Sequence, residues 1–439
     1  MGGFAVRLCR KSAPCEYGLT PLAVFNIPLE PMTQSSKQST STYAHLAESD
    51  SGLVQGFSAS RLARIADVMQ EQVDADHFPG AVTMVARHSE IVHYASHGFQ
   101  DAAKSKRMSK DSIFRLASMT KPLVTAAAMI LVERGRMNMF DPIVKWLPEL
   151  KDLKVETPQG DVPLERPIWV QDLMRHTAGF VYGGRAASPR IAKLYTDLNI
   201  ESREHDITTE DMLRNLGKIP LAHQPGSYWE YSISIDVLGL LLERLENKSL
   251  DLIVKELLTD PLEMPDTTWW VAPDEFGRVA EALDSDPLKA EMLKGYRQTQ
   301  NPVGRTYLRG GGGMLGTAQD YMRFLQMMLN GGLFEGRRYL SRKTVEYMLS
   351  NHSAGMGGTT IANTGPGYGF GLGFAVRLEQ GMGWVPGSVG DAMWAGIWGT
   401  SFWLDPRENL AALIMTQGPT SKTHSRMLYK SLVYGALMK

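Results

Sequence analysis

The tetrapeptide Ser118-Met119-Thr120-Lys121 places a hydroxyl and an amine at a spacing that suits nucleophilic catalysis. A serine hydroxyl is a weak nucleophile and needs an adjacent base to become reactive. Residues i and i+3 of a helix share a face, so the Lys121 amine can reach the Ser118 hydroxyl. The pattern S-x-x-K occurs once in the chain. It predicts a lysine-activated serine nucleophile, although a surface Ser and Lys on a first helical turn would produce the same pattern.

The segment around this tetrapeptide is apolar enough to form a buried helix from about Ser118 to Glu133. Pro122 is compatible with that helix because it lies in the first turn. Gly135 is expected to end it. A position at the start of the helix gives Ser118 the positive end of the helix dipole and free N–H groups, which can stabilise an oxyanion.

Two later segments add aromatic and polar residues in a definite order. Tyr228-Trp229-Glu230-Tyr231-Ser232 follows Gln224-Pro225-Gly226, and Trp394-Ala395-Gly396-Ile397 comes much later. The succession SMTK, PG-x-x-W-x-YS and W-x-G resembles the serine hydrolases of the class C β-lactamase and penicillin-binding-protein superfamily, and most of all the family VIII carboxylesterases. The resemblance covers the chain from about Gly56 to the C-terminus. Further support comes from RHTAGF at 175–180, GGGGMLGTAQDYMRF at 310–324 and YGFGLGF at 368–374.

The resemblance implies a role for each matching residue. Ser118 would be the acylated nucleophile, and Lys121 would hold and polarise it. Tyr231 would act with Lys121 as general base, then as acid toward the leaving group. The backbone N–H groups of Ser118 and Ile397 would form the oxyanion hole. Trp394-Ala395-Gly396 matches the family's K-T-G box and would bind substrate from an edge strand along the site.

Two positions depart from the β-lactamase pattern. Ile233 stands where the resemblance places an asparagine that contacts the substrate amide, and Trp394 stands where it places a lysine that contacts the carboxylate. Both replacements remove polar recognition of a β-lactam, and they predict a more apolar pocket that favours neutral esters. Tyr182 is a candidate lining residue of the acyl pocket or a core residue. His176 is expected to be a structural hydrogen-bonding residue beneath the site.

The resemblance also implies the fold. We expect an α+β, β-lactamase/transpeptidase-like structure with a central antiparallel sheet, flanking helices and a helical inserted domain. Residues 56–140 and 301–439 should form the sheet domain, and residues 141–300 the mainly helical insertion. Residues 1–55 lack a hydrophobic period. They indicate a flexible extension or a start codon assigned too early.

Local patterns agree with this order of elements. Apolar residues at helical spacing after Ser58 predict a first helix, and two β-rich runs hinged at His88-Ser89-Glu90 predict a hairpin. Thr317 with Asp320 predicts the start of another helix. Three strand-like runs follow, namely GLGFAVRL, MWAGIWGTSFWLDP and NLAALIMTQ, and the chain closes on a helical pattern.

The composition excludes several classes of protein. Lys and Arg total 46 and Asp and Glu total 47, so no basic excess exists to bind a nucleic acid. Cys9 and Cys15, the only cysteines, lie near the N-terminus, which excludes a disulfide framework or thiolate zinc site from the body of the protein. The ten histidines show no metal-binding spacing. We therefore expect no metal, no cofactor and no nucleic-acid partner. The absence of a typical signal peptide or of an apolar run of about 20 residues favours a cytoplasmic protein without a membrane span.

The sequence thus predicts a serine hydrolase that cleaves small, short-chain esters through an acyl-enzyme intermediate, with weak activity on β-lactams. The alternatives on the same scaffold are a β-lactamase, a D-amino-acid peptidase and an acyl transferase. A non-catalytic penicillin-binding-like protein is a further alternative, against which the complete set of Ser118, Lys121 and Tyr231 argues. The expected partner is a small-molecule ester, and the sequence does not determine the oligomeric state.

Overall fold

The hairpin predicted around residue 89 is the first part of the main sheet. The structure, a computed structural model, describes residues 53–201, 207–293 and 307–439. Strand β1 (Gly80–Arg87) pairs with β2 (Glu90–Gly98) in antiparallel orientation. The turn residues His88 and Ser89 have φ angles of 51° and 66°. Two successive residues with positive φ are typical of type I′ turns, whose twist matches that of the flanking strands. The predicted extension, residues 1–55, lies outside the described residues except for its last three.

Five further strands complete a seven-stranded antiparallel sheet. They are β3 (Tyr368–Phe370), β4 (Ala375–Arg377), β5 (Ala392–Ala395), β6 (Ser401–Asp405) and β7 (Leu410–Thr416). The spatial order is β3-β4-β5-β6-β7-β1-β2. Every residue of β1 and β7 is buried, as expected for central strands rich in Val, Ile, Leu and Ala. The first strand of the sheet therefore pairs with the last strand of the chain, and the predicted antiparallel sheet is confirmed.

Helices precede, separate and follow the strands of this sheet. In chain order they are α1 (Ala59–Asp74), α2 (Thr120–Glu133), α3 (Val170–Met174), α4 (Pro189–Asp197), α5 (Thr209–Leu216), α6 (Ser234–Glu246), α7 (Leu250–Val254), α8 (Lys289–Leu293), α9 (Ala318–Leu329), α10 (Arg342–Met348), α11 (Ile361–Thr364) and α12 (Lys422–Ala436). Short 3₁₀ turns span Ala117–Met119, Ile143–Lys145, Pro148–Leu150, Gly183–Arg185 and Pro273–Arg278, and a π turn spans Lys255–Thr259. Small two-stranded pairs join Leu53–Val54 with Phe57–Ser58, Phe114–Arg115 with Leu315–Gly316, Lys154–Thr157 with Gly160–Pro163, Tyr228–Trp229 with Gly357–Gly358, and Leu333–Phe334 with Arg337–Arg338.

Helices cover both faces of the sheet. Adjacent residues of a strand point to opposite faces, and on β6 the ring of Phe402 contacts Tyr321 of α9, whereas Trp403 contacts Tyr429 of α12. α9 and α12 therefore lie on different sides. α1 packs beside α12. The sheet is thus the middle layer of three, as expected for an α+β fold whose core lies on both faces of the sheet.

The local predictions for α1 and α9 are confirmed. α1 begins after Ser58, whose hydroxyl accepts a hydrogen bond from the Arg61 amide. α9 begins after Thr317, whose hydroxyl accepts from the Asp320 amide at 3.3 Å. Within the described part of residues 141–300, helices α3 to α8 predominate. The division into a sheet domain and an inserted domain stays a prediction.

Two predictions about the last strands are wrong. The run 393–406 forms two strands, β5 and β6, because the chain reverses between Gly396 and Thr400, with Gly399 at φ 119°. β5 is also an interior strand, flanked by β4 and β6, and not an edge strand. β4 nevertheless pairs only with Ala392 and Met393, so the following residues Trp394 and Ala395 pair on one side only. The end of an interior strand therefore presents an open backbone edge.

Among the helices that the structure describes, none combines the length and the apolar character needed to cross a bilayer.

Candidate active site

Ser118 lies on a strained turn that leads into α2. The 3₁₀ turn Ala117–Met119 precedes the α-helix, which begins at Thr120 and not at Ser118 as predicted. Ala117 is buried and has a φ of 47°. An L-residue in this left-handed region costs about 1–2 kcal/mol, so the surrounding packing must hold the turn in place. Ser118 is half-buried and lines a cavity.

The structure brings Ser118, Lys121 and Tyr231 together. The Tyr231 hydroxyl donates a hydrogen bond to Ser118 Oγ at 2.7 Å, and Lys121 Nζ donates to the same oxygen at 3.2 Å. Lys121 is fully buried. Its amine also donates to the Tyr182 hydroxyl at 3.1 Å and to the Gly311 carbonyl at 2.5 Å. All three protons of an ammonium group thereby have acceptors, which satisfies the hydrogen-bonding requirement of a buried charge.

Aromatic rings fix the position of Tyr231, which lies between the short strand Tyr228–Trp229 and α6. Its ring centroid lies 5.2 Å from that of Tyr182, 5.2 Å from that of Trp394 and 4.9 Å from that of His176. Lys121 Nζ lies 4.7 Å from the Tyr231 ring centroid. These contacts restrain the phenol so that its hydroxyl points at Ser118. Tyr182 belongs to this cluster and also lines the cavity. It is therefore both a packing residue and a lining residue of the pocket, the two alternatives that the sequence left open.

His176 lies beneath the site as a buried, neutral imidazole. Its Nδ1 accepts a hydrogen bond from the Ser232 amide at 3.3 Å. Burial lowers the pKa of His176 well below its ordinary value, and the charge of Lys121 adds to this effect. His176 thus supports Ser232, the neighbour of Tyr231, as the sequence led us to expect.

The two amides proposed for the oxyanion hole lie on adjacent segments. A Cβ atom built on Gly396 would lie 2.5 Å from the Leu116 carbonyl oxygen, so the backbone after β5 passes directly against the turn that carries Ser118. The Thr400 hydroxyl also donates to the Leu116 carbonyl, at 3.3 Å. Within the part of the chain that the structure describes, the Ile397 amide donates no hydrogen bond. Only a residue without a side chain permits this approach, which explains the glycine at 396.

The cavity that contains Ser118 has a volume of about 570 Å³, which lies in the usual range for small-molecule sites. Of the residues predicted to bind substrate, Tyr182, Trp394, Ala395 and Gly396 line it, as does Ile397 of the predicted oxyanion hole. Ile233 does not line it.

Ile233 is 2% exposed and belongs to the hydrophobic core. It lies immediately before the first residue of α6, where the chain turns into the core. The structure therefore does not place Ile233 where it could contact a substrate.

The prediction of a more apolar pocket is wrong. The lining includes six charged residues, namely Arg185, Glu201, Asp236, Arg309, Lys422 and Arg426. No motif marks them in the sequence, because they come from separate loops, from the start of α6 and from α12. The sequence prediction rested on the replacements at positions 233 and 394 alone.

The glycine-rich run at 310–313 serves close packing beside the site. A Cβ on Gly310 would lie 2.5 Å from the Ile235 carbonyl of α6. The Gly311 amide donates to Asp236 at 3.2 Å, and the Gly311 carbonyl accepts from Lys121. The run therefore ties α6, with Tyr231 just before it, to the buried lysine.

Comparison with known proteins agrees with this geometry. A family model described as Beta-lactamase matches residues 65–434. The chain belongs to the beta-lactamase family. The resemblance and the fold class expected from the sequence are confirmed, and the chain is a serine hydrolase of this family.

Two relatives are esterases or hydrolases by name. Esterase EstB of Burkholderia gladioli is 31% identical over 376 residues, which cover 82% of this chain and 91% of EstB. The structure of EstCE1, described as a hydrolase with promiscuous acyltransferase activity, matches with a TM-score of 0.72 and 25% identity, over 87% of this chain and 99% of EstCE1. Simvastatin synthase (LovD) of Aspergillus terreus shares the fold with a TM-score of 0.69 at 21% identity, over 85% of this chain and 98% of LovD.

Proposed function

We propose that the protein is a serine carboxylesterase that hydrolyses small, short-chain esters through an acyl-enzyme intermediate. The observation that carries the proposal is the contact of Ser118 Oγ with both Lys121 Nζ, at 3.2 Å, and the Tyr231 hydroxyl, at 2.7 Å. A hydroxyl with two such partners in an open cavity meets the geometric requirement for an activated nucleophile. The names of EstB and EstCE1 support ester hydrolysis as the reaction.

In the proposed reaction, Tyr231 and Lys121 act together as general base, with one of the two groups deprotonated. Ser118 Oγ attacks the ester carbonyl as its proton passes to this pair. Lys121 Nζ hydrogen-bonds to Ser118 Oγ and to the Tyr182 hydroxyl and lies 4.7 Å from the centroid of the Tyr231 ring, so it positions Ser118 beside Tyr231. The amides of Ser118 and Ile397 receive the oxyanion. Tyr231 then returns the proton to the departing alcohol, and a water molecule repeats the sequence to release the acid.

The decisive test is the substitution Ser118→Ala. Loss of a serine nucleophile should lower kcat by several orders of magnitude, on the order of 10⁶-fold, for p-nitrophenyl esters of graded chain length. A fluorophosphonate probe should label the wild type and fail to label the variant. The matched control is Ser285→Ala, because Ser285 is exposed and lies outside the cavity lining.

Labelling of the Ser118→Ala variant, or hydrolysis close to that of Ser285→Ala, would contradict the proposal. Nitrocefin, measured beside the esters, addresses the β-lactamase alternative. A higher kcat/KM for nitrocefin than for every ester would favour that alternative.

A further inference from the structure

Three of the cations that line the cavity with Ser118 form no ion pair with any carboxylate of the described residues. They are Arg185, Lys422 and Arg426. By contrast, the buried cations Arg377 and Lys430 both lie within 4 Å of Asp391, at 3.4 and 2.9 Å. Among the described residues, the three cavity cations have no such counter-ion.

The three side chains converge on one place. Arg185 donates to the side-chain oxygen of Asn363 at 3.0 Å, and Arg426 donates to the backbone carbonyl of the same residue at 3.4 Å. Asn363 itself lines the cavity. Lys422 lies one turn before Arg426 on α12 and shares its face. Its amine donates to the Pro419 carbonyl at 2.7 Å, and two of its three protons have no acceptor among the described residues.

Like charges held together without a counter-ion destabilise one another. Burial lowers the pKa of Arg426. Burial also lowers the pKa of Lys422, as does the charge of Arg426; Asp286 opposes this effect, and Arg185 adds a smaller lowering. A bound anion would relieve both the repulsion and the cost of burial. Guanidinium groups suit this purpose because they bind carboxylates through two parallel hydrogen bonds.

The cation cluster is close to the reacting groups. The Arg185 guanidinium carbon lies 5.7 Å from the centroid of the Tyr231 ring, and the hydroxyl of that ring contacts Ser118 Oγ. An ester bound at Ser118 could therefore extend a second group past Tyr231 into the cluster. We propose that Arg185, Lys422 and Arg426 bind a carboxylate of the substrate, so that esters carrying one free carboxylate are the preferred substrate class. This inference rests on the proposed esterase function.

The test uses two pairs of chromogenic esters that differ in one carboxylate. 4-Nitrophenyl hydrogen adipate carries a free carboxylate in its acyl part, and 4-nitrophenyl methyl adipate is its neutral partner. 3-Carboxy-4-nitrophenyl butyrate carries the carboxylate in its alcohol part, and 4-nitrophenyl butyrate is its neutral partner. In the wild type, kcat/KM for the anionic ester of one pair should exceed that of its neutral partner by about tenfold to a hundredfold, the usual strength of one charge-assisted hydrogen bond.

The variants are Arg426→Gln and Arg185→Gln, with Arg64→Gln as a control that removes one exposed arginine outside the cavity. The ratio of anionic to neutral kcat/KM should fall by about tenfold or more in Arg426→Gln and Arg185→Gln and stay at the wild-type value in Arg64→Gln. The pair whose ratio responds identifies the side of the ester that carries the carboxylate.

A wild-type ratio at or below one in both pairs would overturn the subsite, while hydrolysis of the neutral esters would still support the esterase function. An equal ratio in Arg426→Gln and Arg64→Gln would overturn it too. If no ester reacted, the esterase proposal would be rejected. The subsite would still be tested, because calorimetric titration with adipate measures binding without turnover. Adipate binding that is lost in Arg426→Gln would support the subsite, and its absence in the wild type would overturn it.

Discussion

Substitution of Gly396 by alanine tests the proposed oxyanion hole through the backbone. The new Cβ would lie 2.5 Å from the Leu116 carbonyl oxygen and would collide with the Thr400 hydroxyl. An ordinary contact requires about 3.4 Å, so one segment must move by about 0.9 Å. Both collision partners belong to the segments that carry the proposed amides. The movement therefore separates the Ile397 amide from Ser118.

A displacement of about 1 Å in a catalytic group can cost about 10²-fold in rate, and loss of one oxyanion donor costs about 10²–10³-fold. We expect kcat of Gly396→Ala to fall by this factor for p-nitrophenyl butyrate. KM should change little, because the oxyanion exists only in the transition state. Steady-state kinetics with a thermal melt of each protein measures both the catalytic and the structural effect.

The control is Gly381→Ala, because a Cβ at Gly381 meets nothing within 4 Å. It should keep wild-type kinetics. Wild-type kcat in a folded Gly396→Ala variant would refute the assignment of the Ile397 amide. A rise of KM by the factor expected for kcat, without any loss of kcat, would show that the end of β5 binds substrate and does not stabilise the transition state.

Two further predictions concern the catalytic pair and the acid stability of the fold. Lys121→Ala and Tyr231→Phe should each nearly abolish ester turnover, and the double variant should be little worse, because residues that act as one unit are non-additive; nearly additive losses in kcat/KM would show that one of the two only packs. Burial lowers the pKa of His93 and His97 to about 4, below the value of about 6.5 expected for the unfolded chain. The unfolded state then binds more protons between these values, so Tm should decrease as pH falls from 6.5 to 4. His93→Gln/His97→Gln should flatten this dependence, and an unchanged slope would contradict the cause.

The reacting residues could be predicted from the sequence because each lies in a short motif. Ser118 and Lys121 are three residues apart, and their contact needs only one helical turn. Tyr231 is 113 residues from Ser118 in sequence, and only its order relative to the other motifs identified it. The fold class followed from the same order of motifs.

Other features depend on contacts that no motif encodes. The cations Arg185 and Arg426 meet through Asn363, which lies far from both in sequence. Ile233 is two residues after Tyr231, yet the start of α6 directs it into the core. The open edge at Trp394 arises because β4 pairs with β5 over two residues only. These three features depend on the positions at which neighbouring helices and strands end. The residue types alone do not specify those positions.

The pairing of β1 with β7 has a consequence for biosynthesis. Arg87 of β1 pairs with Leu410 of β7, so more than 300 residues must be translated before the central strand acquires its second neighbour. At about 5–20 residues per second, that interval is on the order of tens of seconds. During this time the nascent chain carries a largely apolar strand with one unpaired edge, a template for intermolecular pairing. Release of a chain truncated before residue 410 should therefore yield aggregation instead of a partly active fragment.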